Sequence, residues 1–161
     1  MKKALLLASL LALMMVVGVT QATAQENITV TVTIPSVISV SLDTDAWSIG
    51  SVAVSATSTS SSIKATNNGN VAETFTIQSG GSTSSSGTWT CGETAASETF
   101  EMKATGGDLS STSIHTSQTL ETPVAIGDEV DFTLSFKAPT ATTSIGVEHS
   151  ITVTVTASAT T

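Results

Sequence analysis

The chain has 161 residues, with 13 acidic side chains against five lysines, no arginine and a net charge of −8. So few cations leave nothing to neutralise phosphates, which excludes nucleic acid as a partner and disfavours an anionic lipid surface. About a third of the residues are Ser or Thr and tyrosine is absent, yet mean hydropathy is positive, which fits an ordered β protein with a hydroxyl coat rather than a disordered stalk.

The N-terminus reads as a secretory signal over residues 1–24. Lys2 and Lys3 form its positive head, Ala4 to Val19 its apolar core, and Ala22-Thr23-Ala24 a small-x-small cleavage site before Gln25. The apolar run approaches spanning length, but the cleavage site and the lack of a basic flank favour removal over a retained anchor. No cysteine adjoins the site, which argues against a lipoprotein. The expectation is a protein released to the extracellular space, cell surface or matrix, with no membrane anchor after cleavage. All 13 acidic residues lie in 25–161 but only Lys64, Lys103 and Lys137 do, so the mature single domain carries a net −10. That charge reads as solubility and as repulsion between copies.

The mature chain opens on Ile-Thr-Val-Thr-Val-Thr at 28–33, and the same hexapeptide returns at 151–156. Strict alternation has the strand period of two, with branched aliphatics on one face and threonines on the other. Ile28, Val30, Val32 and Ile34 share the apolar face, and Ile38, Val40 and Leu42 continue the pattern beyond Pro35. A proline marks an edge, a bulge or a change of sheet. A chain with interchangeable strands at both ends can pair them within one copy or between copies. Asn27-Ile28-Thr29 is also an N-glycosylation sequon.

Asp43-Thr44-Asp45 forms a turn, and Trp47, Ile49, Val52 and Val54 outline a strand over 46–55 with a slip at Gly50-Ser51. Thr57 to Ser61 reads as a connection and 62–66 as a short strand. Asn67-Asn68-Gly69-Asn70 is a tight-turn signal. Val71 to Gln78 is a strand carrying Phe75 and Ile77, and the polar run Gly80 to Gly87 is a surface loop. Strands follow around Trp89, around Phe100 and Met102, and more weakly around Ile114 and Leu120. Glu129 to Lys137 alternates Val130, Phe132, Leu134 and Phe136 with polar residues. The last strand is expected over 147–157. About eight to ten short strands with no helical period predict an all-β, antiparallel β-sandwich, with a closed barrel as the alternative.

The layout, with ITVTVTIPSVISVSL, KATNNGNVAETFTI, ETFEMKA, DFTLSFKAPT and SITVTVTA in that order, resembles the Ig-like secreted β-sandwich modules of prokaryotic surface and matrix proteins. Within them it is most similar to the TasA/camelysin-like fibre subunits and archaeal bundling pilins. The resemblance implies an Ig-like or jelly-roll subunit with a terminal strand available for donor-strand exchange, polymerising with copies of itself. The metalloprotease activity discussed for camelysin-like proteins does not carry over, because the chain offers only the separated His115 and His149.

Catalytic signatures are absent from the sequence: no His-Glu-x-x-His, no Gly-x-Ser-x-Gly and no phosphate-cradling loop. The expectation is a non-enzyme without a cofactor. Asp43 and Asp45 at one turn, with Asp128, Glu129 and Asp131 at another, are candidates for a weak structural calcium ion, against the plainer reading of solvated acidic turns. Trp47 and Trp89 suit core positions; Trp89, beside the flexible loop, is the candidate for stacking on glycans. Cys91, the only cysteine, reads as a buried inert thiol. The leading function is a secreted filament subunit donating residues 27–34. The alternative is a monomeric adhesin or carbohydrate-binding module.

Overall fold

The structure is a computed structural model and describes Glu26 and residues 28–160. The expected signal segment and the sequon residue Asn27 lie outside the described residues. The chain divides into two units, Met1–Ile34 and Pro35–Thr161.

All strands belong to the second unit: β1 Val40–Leu42, β2 Thr57–Thr59, β3 Ile63–Asn67, β4 Glu73–Thr83, β5 Thr90–Gly92, β6 Thr99–Gly106, β7 Leu109–Ser113, β8 Gln118–Val124, β9 Glu129–Lys137 and β10 Ser150–Ala159. They form two sheets. The larger runs β1-β3-β9-β6-β5, with β2 also paired to β9 and β7 to β6; the smaller runs β10-β4-β8. Every pairing is antiparallel except β5 with β6. Among the described residues there is no helix, and the two sheets share one core, as in a β-sandwich.

The core follows from period-two alternation. Phe75 and Ile77 of β4 and Leu120 and Val124 of β8 come from the smaller sheet. Met102 and Ala104 of β6 and Val130, Phe132, Leu134 and Phe136 of β9 come from the larger. Phe100 lies 5.7 Å, centroid to centroid, from Phe136 in a tilted pair. Each such burial contributes about 1.5–3 kcal/mol. Gly106 closes β6 at φ +132, where a Cβ would run into the backbone of Asp131 and Phe132; a bulge in the β6–β7 pairing sits at the same place.

Four sequence expectations change, one being that the expected connection 57–61 carries the strand β2, paired with β9. Of the expected strand over 28–42, residues 28–39 are in no strand and only Val40–Leu42 is paired, because alternation supplies faces but not a hydrogen-bonding neighbour. Residues 46–55 are irregular, although Trp47 and Ile49 still pack on the core. β4 runs on through Gly80 and Gly81 to Thr83, where a loop was expected, because its pairing with β10 continues to Thr83 opposite Ser150.

Candidate functional site

Residues 28–34 are the least covered apolar stretch described. Ile28, Val30, Val32 and Ile34 are 91, 83, 81 and 79 % exposed. None of residues 28–34 pairs in a sheet among the described residues. An isolated exposed aliphatic is ordinary; four in strict alternation within an uncharged segment are a strand face without a neighbour.

The second unit contains a matching edge. β10 is a terminal strand of the three-stranded sheet, bonded to β4 on one side only. Its Ile151, Val153, Val155 and Ala157 pack against the core while remaining half-exposed, and Thr152, Thr154 and Thr156 point to solvent. Those threonines line a shallow hydroxyl-rich depression with Thr76, Gln78, Gly80 and Ser117. The last charged residue before β10 is Glu148, and none follows it. An edge strand with neither charge nor proline lacks the usual defences against pairing with another chain.

The stretch from Pro35 to Ser41 is held from the β3–β4 turn. Asn70 Oδ1 accepts from the Val37 N–H at 2.7 Å, and its Nδ2 donates to the Pro35 carbonyl at 3.0 Å. The Asn70 N–H donates to the Val37 carbonyl at 3.0 Å, and that of Asn68 to the Ser39 carbonyl at 2.8 Å. Glu73 Oε1 accepts from the Ser39 N–H at 2.8 Å, and Asn68 Nδ2 donates to Ser41 Oγ at 2.6 Å. Asn67 is buried, donating through Nδ2 to the carbonyls of Val71 and Val124 and accepting from the Gly69 N–H. Glu73 is fully buried, and its Oε2 has no hydrogen-bond partner. A Cβ at Gly69 would collide with the Glu73 carboxylate and the Val37 carbonyl.

Three of the five acidic residues proposed for calcium, Asp43, Glu129 and Asp131, contact Lys64. Asp43 Oδ1 accepts from the Lys64 N–H at 2.9 Å. Lys64 Nζ lies 2.6 Å from Glu129 Oε2 and 3.6 Å from Asp131 Oδ1. The Glu129 hydrogen bond, then the charges of Asp131 and Glu129, hold the Lys64 ammonium above its ordinary value. Asp128, Glu129 and Asp131 also line a cleft of about 260 Å³ with Glu121. Among the described residues no three His, Cys, Asp or Glu side chains converge as a metal-binding group. Asp45 makes no side-chain hydrogen bond among the described residues; at this turn Thr44 Oγ1 donates to the Ala46 carbonyl.

Trp89 is half-buried. Its indole N–H donates to Thr142 Oγ1 at 3.0 Å, and the imidazole of His149 stacks on it. Buried Ser82 shares a 2.9 Å hydrogen bond with His149 Nδ1 and accepts from the Trp89 N–H at 2.7 Å. Thr142 Oγ1 in turn donates to Glu98 Oε2. A ring with one face covered and its N–H committed is a joint between loops more than a sugar platform. Cys91 is half-buried, and burial pushes its thiol up from the ordinary value, so the thiolate is scarce at neutral pH.

Sequence reasoning singled out Trp89, the acidic turns and residues 28–34 but missed Asn70, Glu73, Ser82, Glu98 and His149. Each acts on a partner remote in sequence: 33 and 34 residues away for Asn70 and Glu73, 67 for Ser82 with His149. Comparison with known protein families, curated proteins and solved structures finds no match for this chain.

Proposed function

We propose that the chain is a secreted structural subunit of an extracellular filament or matrix fibre, an Ig-like or jelly-roll sandwich that polymerises by strand complementation. Residues 27–34 of one copy add to the free edge of β10 in the next. The observation that carries this reading is that, among the described residues, an uncharged, fully alternating segment has no sheet neighbour and a terminal strand containing the same hexapeptide has no outer one. Added there, Ile28, Val30, Val32 and Ile34 extend the half-covered row of Ile151, Val153 and Val155, and Thr29, Thr31 and Thr33 widen the hydroxyl face.

The energetics favour a strand over a mere apolar contact. Four aliphatics contribute roughly 6–12 kcal/mol gross at about 1.5–3 kcal/mol each. Lost translational and rotational freedom costs about 4–15 kcal/mol. Burial therefore about breaks even, and main-chain bonds along the edge, at about 0.5–1.5 kcal/mol each, decide the sign. Deletion of residues 27–34 is expected to give folded monomers that form no filaments by negative-stain microscopy. Filaments of unchanged length from the deleted protein would overturn the proposal.

A further inference from the structure

We propose that the Asn67–Asn70 turn, together with Glu73, is a clamp that fixes the root of the donated strand, residues 35–39; this rests on the strand-exchange reading. The grip is dense and sharply bounded. From Pro35 to Ser39, two N–H groups and three carbonyls are bonded to Asn68, Asn70 or Glu73, whereas residues 28–34 make no such bond among the described residues. The last group held is the carbonyl of Pro35, a residue with no N–H of its own. The residue before a proline is biased to extended conformations, so Ile34 starts the strand stretched rather than coiled.

The residue types fit this task better than they fit a turn alone. The primary amide of Asn70 offers one acceptor and one donor, which match the Val37 N–H and the Pro35 carbonyl on one edge of an extended chain. Glu73 places a carboxylate in full burial with one oxygen on the Ser39 N–H and the other unpartnered. Such a group is costly to bury, and a turn does not require it. Its use is to hold one backbone amide at one place. Gly69 leaves the gap through which the carboxylate and the Val37 carbonyl approach. A strand whose root is already ordered loses less freedom on docking, and docks in fewer wrong orientations.

The test compares seeded elongation of the secreted protein with that of Asn70→Ala and Glu73→Met. Asn70 is exposed, so Asn70→Ala keeps the fold. Its loss of two side-chain bonds is expected to raise amide exchange at Val37 about tenfold and to slow elongation by a similar factor. The melting temperature stays near wild type, and a synthetic peptide of residues 27–34 inhibits elongation of both proteins at the same concentration, because the receiving edge is intact. Glu73→Met, of similar length but with no oxygen to accept from the Ser39 N–H, is expected to free the Ser39 amide and slow elongation in the same way. Faster exchange at Val37 and Ser39 with wild-type elongation would overturn the clamp and leave strand exchange standing. A wild-type protein that never elongates, with or without seeds, would overturn both.

Discussion

The imidazole of His149 lies flat against the indole of Trp89, with ring centroids 3.6 Å apart and planes 12° apart. The pair joins the segment just before β10 to the segment just before β5, and Ser82 at the end of β4 bonds to both residues. The base of the proposed receiving strand is thus tied to its neighbour by more than the β4–β10 ladder. The buried Nε2 of His149 has no partner, so the ring is held by stacking and by one hydrogen bond at Nδ1.

Removing this joint is expected to cost stability first. His149→Ala forfeits an aromatic contact of about 0.5–1.5 kcal/mol and the hydrogen bond to Ser82. Trp89→Ala, from a half-buried site, is expected to cost about 2–4 kcal/mol, near the lower end for large aromatics. Urea unfolding of both variants measures this. A glycan array run on folded Trp89→Ala protein then separates sugar binding from unfolding; unchanged stability in both variants would refute the structural role.

Glu98 gives the loop 139–146 a pH dependence with a definite sign. Its Oε1 accepts from the Thr143 N–H at 2.6 Å and from the Thr143 hydroxyl, and its Oε2 accepts from Thr142. The Thr143 backbone N–H, then the two threonine hydroxyls and the nearby His149, hold the carboxyl below its ordinary value of 4.5, against an opposing effect of burial. The folded value is depressed, so the stabilisation is fully present above the unfolded value and is lost as pH falls through the folded one. Exchange at the Thr143 amide is therefore expected to stay protected relative to intrinsic rates down to the ordinary carboxyl value of 4.5, and to lose protection only as pH falls through the lower folded value. In Glu98→Gln that acid-dependent step should vanish.

A charge on the arm tests assembly without touching the fold. Val32 is largely exposed in the single copy, so Val32→Asp is expected to shift stability by no more than about 0.5 kcal/mol. In the proposed filament the same carboxylate faces the core of a neighbour, where an unpaired charge is not tolerated. Sedimentation should show monomers only, and Thr31→Asp, on the hydroxyl face, should impair assembly far less.

Salt should matter more than the kind of cation. Copies at net −8, or −10 over residues 25–161 alone, repel, and screening shortens the range of that repulsion to about 8 Å at physiological ionic strength. Elongation is expected to quicken with NaCl. Lys64 already stands between Glu129 and Asp131, so calcium and magnesium at matched ionic strength should act alike on wild type. A calcium-specific acceleration confined to Lys64→Ala would show the lysine filling the place of an ion; one in wild type would restore a calcium site.

The sequence made β9 legible because its pattern and its environment agree: Val130, Phe132, Leu134 and Phe136 alternate, and all four are buried between neighbours on both sides. The same pattern at 28–34 gave a strand face and no strand, since alternation cannot say whether a partner is present. Trp47 and Ile49 were correctly apolar and core-packed but wrongly regular. The Asn67–Asn70 run was readable as a turn from the tolerance of Asn and Gly for tight backbone. Its hold on Pro35 and Val37 was not, because hydrogen bonds across 33 to 35 residues leave no periodic trace.

The one-sided position of β10 in its sheet also bears on the symmetry of the proposed filament. In the proposed filament the donated segment and the receiving edge are different surfaces of one molecule, so successive contacts run head-to-tail, whereas reciprocal exchange between two copies would close a dimer and end growth. Each added copy satisfies one edge and presents another. The proposed array is polar, with an unfilled β10 at one end and an unused 28–34 segment at the other. Its two tips therefore differ chemically, and a peptide of residues 27–34 should arrest growth at only one of them.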